Sequence, residues 1–194
     1  YGTVLSETFR GKHSLQQADP PRTDKEQNSK IQSLMSVLEF DKNQLGNLEY
    51  ALRREMLSTN RAGGYMSTTI VCCNTRKYHG LFVGPVREGD EHDYVMLSSL
   101  DETVVQHDHS FNLALHRFPE TYEPKGHKYL VDFTYTPLPA LTYRVGGVLL
   151  RKEILWIHAH AQLLIRYTLL EARSQTILRL RPFLAFRDKH TLSK

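Results

Sequence analysis

Cysteine is almost absent from this chain of 194 residues. Only Cys72 and Cys73 occur, side by side. Adjacent residues are poorly placed to bridge one another, which excludes a disulfide-stapled secreted scaffold. No Asn-x-Ser/Thr acceptor occurs either, and a reducing, cytoplasmic setting is expected. Long apolar runs are also lacking. Ile154-Leu155-Trp156-Ile157 is among the longest, far short of the ~20 residues of a membrane helix, so no membrane partner is expected. Nothing near Tyr1 has the charged start, apolar middle and small-residue cleavage site of a secretory signal. An excess of one charge is missing as well: 25 Lys and Arg stand against 21 Asp and Glu. The basic residues are scattered, with no stripe interleaved with aromatics, and nucleic acid is not an expected partner. There is no internal repeat and no Gly-rich phosphate loop between a strand and a helix.

What is present supports one folded domain. The chain is 40% hydrophobic and carries 10 Tyr and 8 Phe, enough for a proper core. Residues 1–34 differ from the rest: they are polar, lack any period, and hold Pro20-Pro21 in their middle. They read as a disordered leader or an appended non-native segment, with the domain expected over 35–194 from Met35.

From Asp41 the pattern turns helical. Leu45, Leu48, Leu52 and Met56 fall on one face, and Asp41 with Gln44 has the spacing of a capping box. After Gly63-Gly64 the chain reads as β structure. Strands are expected over 68–73, 80–86, 94–100, 103–106, 129–135, 142–145, 148–157, 162–171 and 176–186, with Gly146-Gly147 marking a hairpin. Leu163, Ile165, Tyr167 and Leu169 share one face by period, as do Leu178, Leu180, Pro182 and Leu184. Strands without intervening helices predict an antiparallel β-sandwich with one short N-terminal helix, whole or truncated.

Four local features could carry chemistry. The stretch from Ser58 to Tyr65 holds Asn60, Arg61, Gly63, Gly64 and Tyr65, which suit either a polar-ring site or a helix-to-strand turn. Asn74 to Leu81 holds Arg76, Tyr78 and His79, an anion or hydroxyl site or a hairpin whose side chains meet backbone carbonyls. Arg187-Asp188-Lys189-His190 offers a base beside a carboxylate, or a surface ion pair. The His107/His109 and His158/His160 pairs could each clasp a metal from one face of a strand, but no third ligand can be assigned. Asp101-Glu102 reads as a turn, because strand neighbours point to opposite faces and cannot flank one bond. No cofactor, metal or complete catalytic set is expected.

Taken in order, the motifs carry a resemblance. Thr59-Asn60-Arg61-Ala62-Gly63-Gly64-Tyr65, Asn74-Thr75-Arg76-Lys77-Tyr78-His79-Gly80-Leu81, Leu97-Ser98-Ser99-Leu100-Asp101-Glu102 and Leu178-Arg179-Leu180-Arg181-Pro182-Phe183 resemble the N-terminal domain of bacterial and archaeal glycogen debranching enzymes. Lys77 stands where that pattern has Arg, and Phe82 and Phe183 stand where it has Leu. The likeness runs from about Leu38 to Leu192.

The resemblance implies a supersandwich-like, non-catalytic domain preceding an (α/α)6 barrel that is missing here and that supplies the catalytic carboxylates. It implies an amylo-α-1,6-glucosidase acting on glycogen, an α-glucan. Asn60, Arg61, Gly63, Gly64, Tyr65, Arg76, Tyr78, His79, Arg187 and Asp188 then become candidates for substrate-side or interdomain contacts. A free-standing α-glucan-binding module is the alternative. A domain shaped against a barrel is expected to expose aromatics such as Trp156, Tyr167 or Phe186.

Overall fold

The computed structural model describes residues 38–87, 89–158 and 160–192. The expected leader over 1–34 and its boundary at Met35 lie outside the described residues. The chain enters through β1 (Leu38–Asp41) into two helices, α1 (Lys42–Gly46) and α2 (Leu48–Leu52). The capping box forms: Asp41 Oδ1 accepts the Gln44 N–H at 2.9 Å, and Gln44 Oε1 accepts the Asp41 N–H at 3.0 Å. The single helix expected here is split. Asn47 takes an extended conformation and its side chain accepts the Tyr50 N–H, starting α2 anew. Leu45 is buried as expected, but Met56 belongs to β2 (Glu55–Thr59), where it also faces the core.

Two antiparallel sheets make the sandwich. One runs β1, β9 (Leu130–Tyr135), β10 (Pro139–Val145), β11 (Val148–Trp156), β12 (Leu163–Glu171). The other runs β13 (Ile177–Asp188), β5 (Tyr94–Gln106), β4 (Gly80–Gly84), β3 (Tyr65–Thr69), β2, with β6 (His109–Asn112) added to β5. A small ribbon, β7 (His116–Arg117) with β8 (Tyr122–Glu123), joins neither ladder. Phe133, Leu141, Tyr143 and Ile154 from the first sheet and Met56, Met66, Leu81 and Val104 from the second form one buried core.

Gly146 and Gly147 close the β10–β11 hairpin with φ of 55° and 79°, both left-handed, while Val145 and Val148 stay in register. A two-residue loop of this kind requires that conformation, which is why the glycine pair stands there. In β9 a bulge between the Asp132 and Leu130 pairings lets both Leu130 and Phe133 reach the core, replacing the simple alternation from Tyr129.

Four further expectations are corrected. The strand at 68–73 ends at Thr69, because Thr69 Oγ1 accepts the Cys73 N–H at 3.0 Å and Cys72 turns to φ 57°. The segments at 94–100 and 103–106 are one strand, β5, and Asp101-Glu102 lies in its middle, buried, rather than in a turn. On β13 only Leu178 of its predicted face packs against the core, while Leu180 and Leu184 are exposed. Register slips on either side of Leu184 break the two-residue period there. Of the aromatics expected at an open edge, Phe186 is 68% exposed, but Trp156 is buried and Tyr167 half-buried. Among the described residues no helix is long and apolar enough to cross a membrane.

Candidate functional site

The β2–β3 turn is organised by Asn60. Its Oδ1 accepts the N–H groups of Ala62 at 3.0 Å and Gly64 at 2.8 Å, and its Nδ2 donates to the His160 carbonyl at 2.9 Å. The Arg61 N–H donates to the His158 carbonyl at 3.0 Å, while the residue itself is exposed. The turn is therefore fastened to the β11–β12 loop. Gly63 sits at φ 81°, and a Cβ on Gly64 would stand 3.1 Å from the Trp156 ring. The first requires left-handed backbone and the second requires a missing side chain.

The next residue, Tyr65, is half-buried and donates its hydroxyl to the Tyr78 carbonyl at 3.1 Å. Burial holds its phenol above the ordinary range. Tyr65 pairs with Val83, Val83 with Val95, and Val95 with Arg187, so Tyr65 and Arg187 lie on one row across four strands. The β3–β4 loop meets that row. Arg187 donates to the Lys77 carbonyl at 2.6 Å and to the Thr191 carbonyl at 2.7 Å. The exposed Tyr78 ring stands edge-on to His190, with centroids 5.6 Å apart.

His79 is buried. Its Nδ1 accepts the Thr75 N–H at 3.1 Å, and its Nε2 lies 3.4 Å from the Glu55 carboxylate without the alignment of a hydrogen bond. Burial pushes its imidazole below the ordinary range. Arg76 donates to the same Glu55 oxygen at 2.5 Å. Asp188 accepts the His190 N–H at 2.7 Å and lies 3.6 Å from His92, so it does not orient His190 as a base through the ring. Three of the four sequence motifs thus converge on one region of the second sheet. Most of their polar groups hold loops in place; Arg61, Tyr78 and the ion-paired Arg76 face outward, Arg61 and Tyr78 without an ion pair among the described residues.

Sequence reasoning missed the two buried carboxylates of Asp101-Glu102. Glu102 meets Lys152 at 2.6 Å and accepts the Tyr167 hydroxyl at 2.6 Å, tying β5 to the opposite sheet. Asp101, on the other face of β5, accepts His116 Nε2 at 2.8 and 3.0 Å and Arg181 at 3.3 Å. Only the strand period, applied to Asp101-Glu102 as a strand, could have signalled that split.

The His-x-His units are not paired ligands on strands. His107 lies in a turn at φ 52°, and His158 and His160 lie in a loop and contribute backbone carbonyls to the Asn60 turn. Among the described residues no group of three or more His, Cys, Asp or Glu is placed to hold a metal ion. Both cysteines are free, and burial raises the Cys73 thiol to about 11, which keeps it protonated and unreactive near neutrality.

A family model described as glycogen debranching enzyme N terminal matches residues 54–194. Comparisons with curated proteins and with solved structures return no match.

Proposed function

The chain belongs to the family of glycogen debranching enzyme N-terminal domains, and from that membership we propose that it is the non-catalytic N-terminal domain of an amylo-α-1,6-glucosidase. The observation that carries this reading is the span of the family match: residues 54–194 include all four motifs, in order. The full-length parent would hydrolyse α-1,6 branch linkages of glycogen in the cytoplasm.

The state of the carboxylates supports placing the chemistry elsewhere in the parent. Glycoside hydrolysis needs two carboxyl groups facing each other across the scissile bond, roughly 5 to 10 Å apart, one of them able to act as an acid. Here Asp101 is engaged by His116 and Arg181, and Glu102 by Lys152 and Tyr167, on opposite faces of one strand. They cannot flank a common bond. In this reading the convergent motifs, from Asn60 to Tyr65, Arg76 to His79 and Arg187 to Asp188, hold loops rigid against the catalytic barrel, with Arg61 and Tyr78 reaching toward the barrel or an outer glucose unit.

The test is to incubate the purified chain with a branched α-glucan and to read the gene beyond codon 194. No glucose above a heat-killed control, together with several hundred further codons rich in amphipathic helices, is the expected result. Glucose release by the chain itself would overturn the non-catalytic assignment, and a stop codon directly after Lys194 would favour a free-standing glucan-binding module.

A further inference from the structure

We propose that the groove between β5, the β7–β8 ribbon and the C-terminal half of β13 is an α-glucan subsite. The choice of a glucose polymer rests on the debranching-domain reading; the geometry by itself asks for a neutral ring with one apolar face and an edge of hydroxyls. The groove is lined by Phe118, Phe183, His116 and Arg181 along with Ser98 and Ser99. Only Ser98 touches the Asn60, Arg76 or Arg187 clusters, its carbonyl accepting from Asn74 Nδ2 at 2.8 Å.

Two aromatic rings sit at the surface there: Phe118 is 50% and Phe183 is 38% exposed. Phe183 is not a loose side chain. The His116 ring lies 5.4 Å from it at a tilt of 58°, and the Arg181 guanidinium lies 4.9 Å from its centroid. Both neighbours are anchored by Asp101, which is 2% exposed and accepts from each. A buried carboxylate thus fixes an imidazole and a guanidinium, and these fix an aromatic face. Such a ring is pre-organised for stacking, so little side-chain entropy is lost on binding.

The charges favour a neutral ligand. Asp101 compensates Arg181, and a second carboxylate, Glu123, lines the same groove as Arg117 and pairs with Lys125 at 3.1 Å. An anion would find no uncompensated cationic cluster. A pyranose has C–H faces for Phe183 and Phe118, and its hydroxyls suit the donors of Arg181 and His116 and the hydroxyls of Ser98 and Ser99. In this arrangement Asp101 and His116 are positioning residues, and the aromatic rings carry the contact.

The test is a calorimetric titration of the chain with maltohexaose. Saturable binding is expected, weakened about ten-fold by Phe183→Ala and by Phe118→Ala. Phe186→Ala, which removes an exposed ring stacked on Tyr94 and outside the groove lining, should leave affinity unchanged. Equal melting temperatures of the variants would confirm that they fold. Absence of saturable binding, or binding lost with Tyr78→Ala and indifferent to the two Phe variants, would overturn the subsite. Glucose release by the longer parent is scored separately: the debranching reading stands or falls on that assay, whatever the titration shows.

Discussion

Lys152 Nζ lies 2.6 Å from Glu102 Oε1, with the two side chains 1% and 3% exposed. This pair joins β11 of one sheet to β5 of the other through the middle of the sandwich, and the Tyr167 hydroxyl completes it from β12. Burial alone would lower the lysine's affinity for its proton, but Glu102, with Cys72 and Asp101 adding to it, outweighs that and holds Lys152 above its ordinary range. Taking two charges out of water is costly, and the pair is sustained only while both members are present.

Lys152→Met should therefore destabilise the chain by about 3 to 5 kcal/mol, because it strands a buried carboxylate. Replacing both partners with apolar residues of similar volume should cost less than the single change. Urea unfolding of the two variants measures this, and a single variant within error of wild type would contradict the buried-pair account. Since the lysine's folded value is raised, its contribution is complete below about pH 10.4 and is lost only as pH rises through the higher folded value.

Stability should fall on acidification. Burial lowers His79, and burial with Lys128 and Lys125 nearby lowers His127, so both are held neutral in the fold. Below about pH 6.5 the unfolded chain binds more protons at these positions than the folded one, so stability is present above that value and is lost as pH falls below it. Urea midpoints taken between about pH 7.5 and about pH 5.5 should drop, and His79→Gln with His127→Gln should reduce the slope. A slope unchanged by these variants would contradict the assignment.

Gly64→Ala should cost roughly 1 to 3 kcal/mol by overpacking, since its Cβ would meet the Trp156 ring at 3.1 Å and the Val83 carbonyl at 3.3 Å. Gly63→Ala should cost roughly 1 to 2 kcal/mol through its left-handed backbone instead. Thermal melting distinguishes them when Trp156→Phe is added: that smaller ring should partly relieve the first variant and not the second. Equal effects on both would remove the packing explanation.

The outer strands should be sticky. Each sheet ends in an edge strand with exposed apolar side chains: Leu164, Leu169 and Leu170 on β12, and Ile177, Leu180, Leu184 and Phe186 on β13. Unpaired edges of this kind promote association. The chain should bind a hydrophobic dye and self-associate with concentration, and Leu184→Lys with Phe186→Lys should suppress both. Co-expression with the region downstream should do the same. Sedimentation of a clean monomer with no dye signal would contradict this.

Features whose partners lie a few residues away were legible in the sequence. The Asp41–Gln44 box and the Gly146-Gly147 hairpin are local, and the β12 alternation of Leu163, Ile165 and Tyr167 needs only a two-residue period, which fails at Leu169, exposed beside a register slip. Long-range partners were not legible. Asp101-Glu102 resembles a turn until Arg181, His116 and Lys152 come to meet it from far along the chain. Trp156 looked available for an open surface because nothing near it in sequence reveals Gly64 or Phe82, against which it packs. The candidate residues around Asn60, Tyr78 and Arg187 could be named one by one, but only the cross-strand row from Tyr65 to Arg187 brings them together.

The most direct measurement is glucose release from a singly branched α-limit dextrin by the full-length parent, with the chain alone in parallel. The account predicts free glucose from the α-1,6 branch point with the parent and none above a heat-killed control with the chain. A folded parent that leaves the branch intact, or a chain that cleaves it unaided, would contradict the account.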